Sequence, residues 1–260
     1  MGAVSNPARE RLERGELSIG LGIRLSRGVD IAKILKTSGY DWLFLDLEHG
    51  TMSLDTCSQI SVAALDAGIS PIVRVPAMQH AMATRALDGG ALGIVMPHVD
   101  SAKEAREIVD RLKYPPIGHR SVSGAQPQFD YRAMKIGELT ASLNATTLTI
   151  VMVETPKAIA NIEAIAAVPG VDVVLIGTND LAAEMGIPGD FAHPKIAAAY
   201  KKVIAACKKH KKWPGMGGVY NEELLKKYVG MGMRIMLAGG DVGMLMQAAT
   251  QRTEFLRRCL

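Results

Sequence analysis

Eight times along this chain a short run rich in Val, Ile and Leu gives way to a stretch with helical periodicity, and Gly, Pro or Asn separates the two. The runs are Ile19–Leu25, Trp42–Asp46, Ile72–Val75, Gly93–Met96, Thr147–Val153, Val173–Ile176, Pro214–Val219 and Arg234–Ala238. Runs as uniformly apolar as Val173–Ile176 suit parallel strands buried on both faces. The stretches that join them are predicted helices over Asp30–Thr37, Leu54–Ala67, His80–Leu87, Ala102–Leu112, Lys157–Ala166, Pro194–Lys209, Glu222–Val229 and Val242–Phe255. Right-handed crossovers repeated in this way either close into a (β/α)8 barrel or open into a doubly wound sheet. The even spacing, and the lack of a Gly-rich nucleotide loop after the first run, favour the barrel, and 260 residues is an ordinary length for one. Residues 1–260 then read as a single barrel domain. Tyr114–Ala145 exceeds an ordinary connection and is expected to be an inserted loop that ends in a helix.

Composition narrows the function. Apolar residues make up 48% of the chain and charged residues 22%, as in a folded globular protein. A formal charge of +4 is too small for a surface that coats nucleic acid. The basic cluster Lys201–Lys212 has no interleaved aromatics and reads as a solvated helix face. The first ten residues turn charged before any apolar core of a secretory signal can form. Ala158–Gly177, the most apolar long stretch, is interrupted by Asn161, Glu163, Pro169–Gly170 and Asp172, so no membrane span is expected. The 3 cysteines, Cys57, Cys207 and Cys259, have no metal-type spacing and fit reduced structural thiols in the cytoplasm.

In a barrel, polar residues just past the strand ends face the site of chemistry. The second run exits through Asp46, Glu48 and His49, which could form a site or merely cap loops. Arg74 alternates into the third run, where a permanent charge needs a carboxylate partner or an anionic ligand. Glu154 and Asp180 follow the fifth and sixth runs. Two carboxylates from adjacent strand ends suit a divalent cation such as Mg²⁺ or Mn²⁺, with water or substrate oxygens filling the remaining positions, although Asp180 could simply cap the next helix. Gly177-Thr-Asn-Asp180 leads into a helix whose free N–H groups could hold a carboxylate. Gly217-Gly218 and Gly239-Gly240-Asp241 read as close turns before they read as a phosphate site.

Phe44-Leu-Asp-Leu-Glu-His-Gly50, Val73-Arg-Val-Pro76, Leu87-Asp-Gly-Gly-Ala-Leu-Gly93, Val95-Met-Pro97, Val153-Glu154 and Ile176-Gly-Thr-Asn-Asp-Leu181 occur in the order and over the span found in the HpcH/HpaI aldolase family, which the chain resembles. These are the class II pyruvate aldolases of the phosphoenolpyruvate/pyruvate superfamily. The resemblance implies a (β/α)8 barrel that breaks or forms a carbon–carbon bond next to pyruvate with a divalent metal, Mg²⁺, Mn²⁺ or Co²⁺, held by Glu154 and Asp180. By the same resemblance, backbone amides at Gly177, Thr178, Asn179 and Asp180 would hold the pyruvate carboxylate, and Arg74 would stabilise the enolate. His49 would act through water as acid and base, oriented by Asp46 and by Asp88 of a neighbouring subunit. A homohexamer, a trimer of dimers, is implied, with Val242–Phe255 exchanged between subunits.

The chain departs from the family at Met152, where many members carry Gln, and at Thr178, where many carry Pro. The loop Ile117–Tyr131 also differs, and its Arg120 is expected at the acceptor-aldehyde end of the site. The leading expectation is an aldolase that releases pyruvate from a 2-keto-4-hydroxy acid. Decarboxylation of a 2-keto dicarboxylate such as oxaloacetate shares the same enolate, and a non-catalytic keto-acid-binding barrel is the alternative of another class. A nicotinamide oxidoreductase lacks its glycine fingerprint here.

Overall fold

In the computed structural model of the chain, residues 4–259 are described; Met1, Gly2 and Ala3 of the N-terminal stretch read for a signal, and Leu260, lie outside the described residues. Eight strands close into one parallel barrel in sequence order: β1 (Ser18–Ile23), β2 (Trp42–Asp46), β3 (Ser70–Arg74), β4 (Gly93–Met96), β5 (Leu148–Val153), β6 (Val173–Gly177), β7 (Trp213–Gly217) and β8 (Ile235–Gly240). Around them run α1 (Pro7–Glu13), α2 (Ile31–Thr37), α3 (Leu54–Ala67), α4 (His80–Asp88), α5 (Ala102–Leu112), α6 (Ile136–Thr146), α7 (Pro156–Ala160), α8 (Ile162–Ala166), α9 (Thr178–Glu184), α10 (Pro194–His210), α11 (Glu222–Met231) and α12 (Asp241–Arg257). The barrel predicted from the alternating runs is the one observed.

The barrel interior is filled by Trp42, Phe44, Ile72, Val95, Ile150, Met152, Val173, Leu175 and Ile235. Gly20 makes this packing feasible, since a Cβ there would lie 2.2 Å from the Trp42 ring. Helix α1, which the sequence reading omitted, plugs the end away from the strand exits. Its Ala8 and Leu12 are buried against the interior, and Asn6 donates to the carbonyls of Leu92 and Thr146 at 3.1 and 2.8 Å. The second apolar layer lies between strands and helices, with Ile60, Ala64, Ile108, Ile165, Val203 and Cys207 among its buried residues.

Local chemistry sets the ends. Ser53 caps α3 by accepting from the Thr56 N–H at 3.1 Å, and Gly68 ends that helix at φ 68°. The predicted helix over Lys157–Ala166 is two short helices because Asn161 ends α7 and precedes α8, with its amide donating to the Asp100 carbonyl at 2.8 Å. Strand β1 stops at Ile23 rather than Leu25 because the N–H groups of Arg24, Leu25 and Ser26 donate to the Asp241 carboxylate instead of a neighbouring strand. The expected insertion between β4 and β5 holds a short 3-10 turn at Pro127–Phe129 and then α6. Tyr114, Leu139 and Leu143 form a small core beneath it.

Candidate active site

The strands all point their C-terminal ends at one cavity of about 480 Å³, lined from β1 round to β8 by Arg24, Phe44, Asp46, His49, Arg74, Met152, Glu154, Gly177–Asp180, Tyr220, Leu237 and Asp241, among others. The structure thus brings Asp46, His49, Arg74, Glu154, Gly177, Thr178, Asn179 and Asp180 together from positions far apart in the chain.

Asp46 and Arg74 sit opposite each other in the β2–β3 register. Arg74 Nε donates to Asp46 Oδ1 at 3.0 Å and Nη2 to Oδ2 at 2.6 Å, while Nη1 lies 3.1 Å from Glu48 Oε2. Burial alone would raise the Asp46 carboxyl, but the Arg74 hydrogen bonds and charge, with the His49 and Glu48 N–H groups, hold it below the usual carboxylate range. Asp46 meets His49 through the backbone, accepting its N–H at 3.2 Å. The His49 ring instead has its Nε2 3.9 Å from Glu48 Oε2 and is half-exposed at the mouth. The expected orientation of the His49 ring by Asp46 is therefore replaced by a grip on the turn that carries it.

Glu154 is 2% exposed. Its Oε2 accepts the His98 N–H at 2.9 Å and lies 3.4 Å from His98 Nδ1, whereas Oε1 has no donor among the described residues. Burial pushes the Glu154 carboxyl up to about 7; the His98 N–H opposes this and the nearby Asp180 charge adds to it. Glu154 is thus a buried carboxylate with one oxygen that no donor among the described residues takes, next to a second carboxylate on the same cavity. That fits a divalent cation bound by oxygen ligands. Among the described residues no group of three or more His, Cys, Asp or Glu is placed to hold a metal, so a cation here would need water or substrate oxygens beside the two carboxylates.

Thr178 is buried, and its hydroxyl is committed to the Gly217 carbonyl and the Tyr200 hydroxyl, both at 2.7 Å, so only its backbone faces a ligand. Asp241 is pushed up by burial, yet the N–H groups of Ser26, Arg24 and Leu25 outweigh this and hold it below the usual range. The Gly239–Asp241 turn is thus already filled by a carboxylate, which favours the close-turn reading over phosphate.

Arg120 lies away from the cavity, and Asp88, expected from a neighbouring subunit, lies away from this chain's own. Arg120 is buried, donates to Asp88 Oδ1 at 2.6 Å and stacks over the Tyr114 ring at 4.6 Å, so the acceptor-end position expected for it is corrected to a pair under the insertion. Asp88 is likewise off this cavity and lines a separate hollow with Leu54, Asp55, Ser58 and Arg85. Sequence reasoning missed Arg24, His98 and Tyr220, each just past a strand. Arg24 falls inside the apolar run Ile19–Leu25 and so reads as a strand residue, and His98 directly follows Val95-Met-Pro97.

The family model for HpcH/HpaI aldolase/citrate lyase matches residues 25–248. The 4-hydroxy-4-methyl-2-oxoglutarate aldolase of Chaetomium globosum is 41% identical to the chain, over 95% of this chain and 93% of that protein. The hydroxypyruvate/pyruvate aldolase of Paraburkholderia phytofirmans is 33% identical, over 99% and 100%. The crystal structure of an HpcH/HpaI aldolase from Desulfitobacterium hafniense superposes with a TM-score of 0.92 at 30% identity, over 97% of each chain.

Proposed function

The chain belongs to the HpcH/HpaI aldolase/citrate lyase family, and from that premise we infer that it is an aldolase, a carbon–carbon lyase that cleaves a 2-keto-4-hydroxy acid to pyruvate and a second carbonyl compound. The observation that carries the reading is the convergence of the Glu154 and Asp180 carboxylates with the Arg74 guanidinium on one cavity at the strand exits. HpcH/HpaI aldolases generally depend on a divalent metal, and Glu154 and Asp180 are the residues that would hold it, as Mg²⁺, Mn²⁺ or Co²⁺. When bound, such a cation supplies Lewis-acid polarisation of a keto group and favours the developing enolate.

The chain's own groups do the rest. Backbone N–H groups at Gly177–Asp180 bind the keto-acid carboxylate where β6 gives way to α9. Arg74 donates to the keto oxygen. Because Asp46 and Glu48 already fix the guanidinium, no reorganisation is needed as negative charge builds on that oxygen. His49, through a water, takes the proton of the 4-hydroxyl. The C3–C4 bond then breaks, its electron pair forms the pyruvate enolate, and the same relay returns the proton to C3. Among the described residues no lysine lines the cavity, and this reading uses no Schiff base.

The same reading takes residues 1–260 as one aldolase domain and assembles it into a hexamer. Helix α12 has no buried residue in the isolated chain and exposes Val242, Leu245, Met246, Phe255 and Leu256, apolar surface suited to exchange onto a second copy that would in return offer its Asp88. No described helix is long and apolar enough to cross a membrane, and buried, unpaired Cys57 and Cys207 suit a reducing cytoplasm.

The reading is tested without knowledge of the acceptor. Pyruvate is incubated in D2O with protein and Mn²⁺ or Mg²⁺, and loss of the methyl protons is followed by NMR. Exchange that stops on chelation is expected; absence of exchange with every metal would overturn the reading.

A further inference from the structure

We propose that Arg24 is a specificity-determining residue: it reads a second carboxylate at the acceptor end of a 2-keto-4-hydroxy dicarboxylate, in preference to a substrate that lacks one. This rests on the aldolase reading above and refines it. Arg24 lines the cavity just past β1, and its side chain is 57% exposed. In the closed barrel β1 stands across from β5, so Arg24 faces the cavity from the wall opposite Glu154 and its neighbour Asp180. The Arg24 Nε is held by the carbonyl of His49, the residue assigned above to the substrate 4-hydroxyl, so Arg24 stands beside the end of the substrate that becomes the second carbonyl product.

Arg24 is also the cation on this cavity with charge to spare. Arg74 is buried, its charge is already matched by Asp46 and Glu48, and its remaining N–H groups are those assigned above to the keto oxygen. Arg24 donates from Nε to the His49 carbonyl at 2.9 Å, and that same nitrogen is 3.8 Å from Asp46 Oδ2, while its two Nη groups have no partner among the described residues. Of the cavity carboxylates, Asp46 is matched to Arg74, Asp241 to three backbone N–H groups, and Glu154 and Asp180 to the cation they would share. A planar guanidinium with two free Nη groups is built to take a carboxylate in a fork. The base of the side chain is already set, because Asp241 holds the Arg24 backbone N–H at 3.1 Å together with those of Leu25 and Ser26. This anchoring lowers the ordering cost of binding.

The experiment compares cleavage of 4-hydroxy-2-oxoglutarate with that of 4-hydroxy-2-oxopentanoate, which replaces the second carboxylate with a methyl group, under the metal that supports pyruvate exchange. The wild-type protein is expected to favour the dicarboxylate in kcat/KM. Arg24→Gln should shrink the ratio of the two values by about 10- to 100-fold, the size of a lost charge-assisted contact, and Arg24→Lys should restore part of it. Because the readout is a ratio, a general loss caused by the His49 contact cancels. A wild-type ratio near one, or a ratio unchanged in Arg24→Gln, overturns the assignment. Failure of the wild-type protein to exchange pyruvate protons overturns the aldolase reading beneath it, so the two failures are told apart.

Discussion

Arg74 and Asp46 face each other across neighbouring strands and are joined by two parallel hydrogen bonds, of 3.0 and 2.6 Å, with neither side chain more than about one-tenth exposed. Removing one member of a buried pair strands the other charge, which typically costs about 3–5 kcal/mol. Glu48 remains 3.1 Å from Arg74 as a partial replacement, so Asp46→Asn is expected at the low end, about 3 kcal/mol by urea unfolding at pH 7. The folded Asp46 carboxyl lies below its unfolded value. The stability it contributes is therefore fully present above about pH 4 and is lost as pH falls through the depressed folded value. The gap between wild type and variant should hold from pH 7 to about pH 4 and narrow below it; a gap undiminished at pH 2 would mean that shape rather than charge sets the cost.

Glu154 and Asp180 are expected to give the chain a metal-linked stability. With free Mn²⁺ at about 100 times its dissociation constant, a ligand that binds only the folded state adds about 2.7 kcal/mol. The wild-type unfolding midpoint should rise accordingly and return on chelation, while Glu154→Gln and Asp180→Asn should show no rise and no turnover. Because Glu154 is buried and does not face solvent, the neutral Glu154→Gln should unfold without metal no earlier than the wild-type apoprotein. Turnover that survives thorough chelation would contradict the ligand pair.

Loss of the imidazole in His49→Ala should lower kcat by about 10²- to 10⁴-fold, the usual effect of deleting a general acid–base group. Mn²⁺ affinity should be unchanged, since His49 lies at the mouth and contacts neither Glu154 nor Asp180. Steady-state kinetics beside a Mn²⁺ titration checks both halves; an effect confined to KM would make His49 a binding residue.

What the sequence conveyed follows from which interactions are local. Parallel strands buried on both faces are apolar along their whole length, so the barrel and the positions of Asp46, Arg74, Glu154 and Asp180 at its mouth were visible as polar interruptions. Contacts between distant segments were not. Nothing local in Arg24-Leu-Ser26 announces that Asp241, more than two hundred residues later, takes its N–H groups, ends β1 early and frees Arg24 to face the cavity. Arg120 failed for the complementary reason. A cation in a Gly- and Ser-rich loop reads as available, and only the folded insertion shows it buried against Tyr114 and Asp88.

Gly177 carries the sharpest steric demand on the site. Its backbone, at φ −84° and ψ 93°, is open to any residue, so alanine there meets no conformational penalty. What it meets is Glu154: a Cβ would lie 2.3 Å from Oε1 and 2.7 Å from Cγ, distances real atoms do not share. Glu154 must swing aside into the cavity it lines, and because its other oxygen accepts the His98 N–H at 2.9 Å, the movement strains that hydrogen bond. Gly177→Ala should therefore leave the barrel folded, with the wild-type far-ultraviolet circular dichroism, and rotate the carboxylate off its line to the cation. Displacing a metal ligand's support typically costs about 10- to 100-fold in affinity, so the Mn²⁺ dissociation constant should rise by at least about tenfold, with a parallel loss of pyruvate exchange. Mn²⁺ affinity equal to wild type in a folded Gly177→Ala protein would show that the cation does not depend on Glu154 lying over Gly177, and the ligand assignment would have to move to other residues.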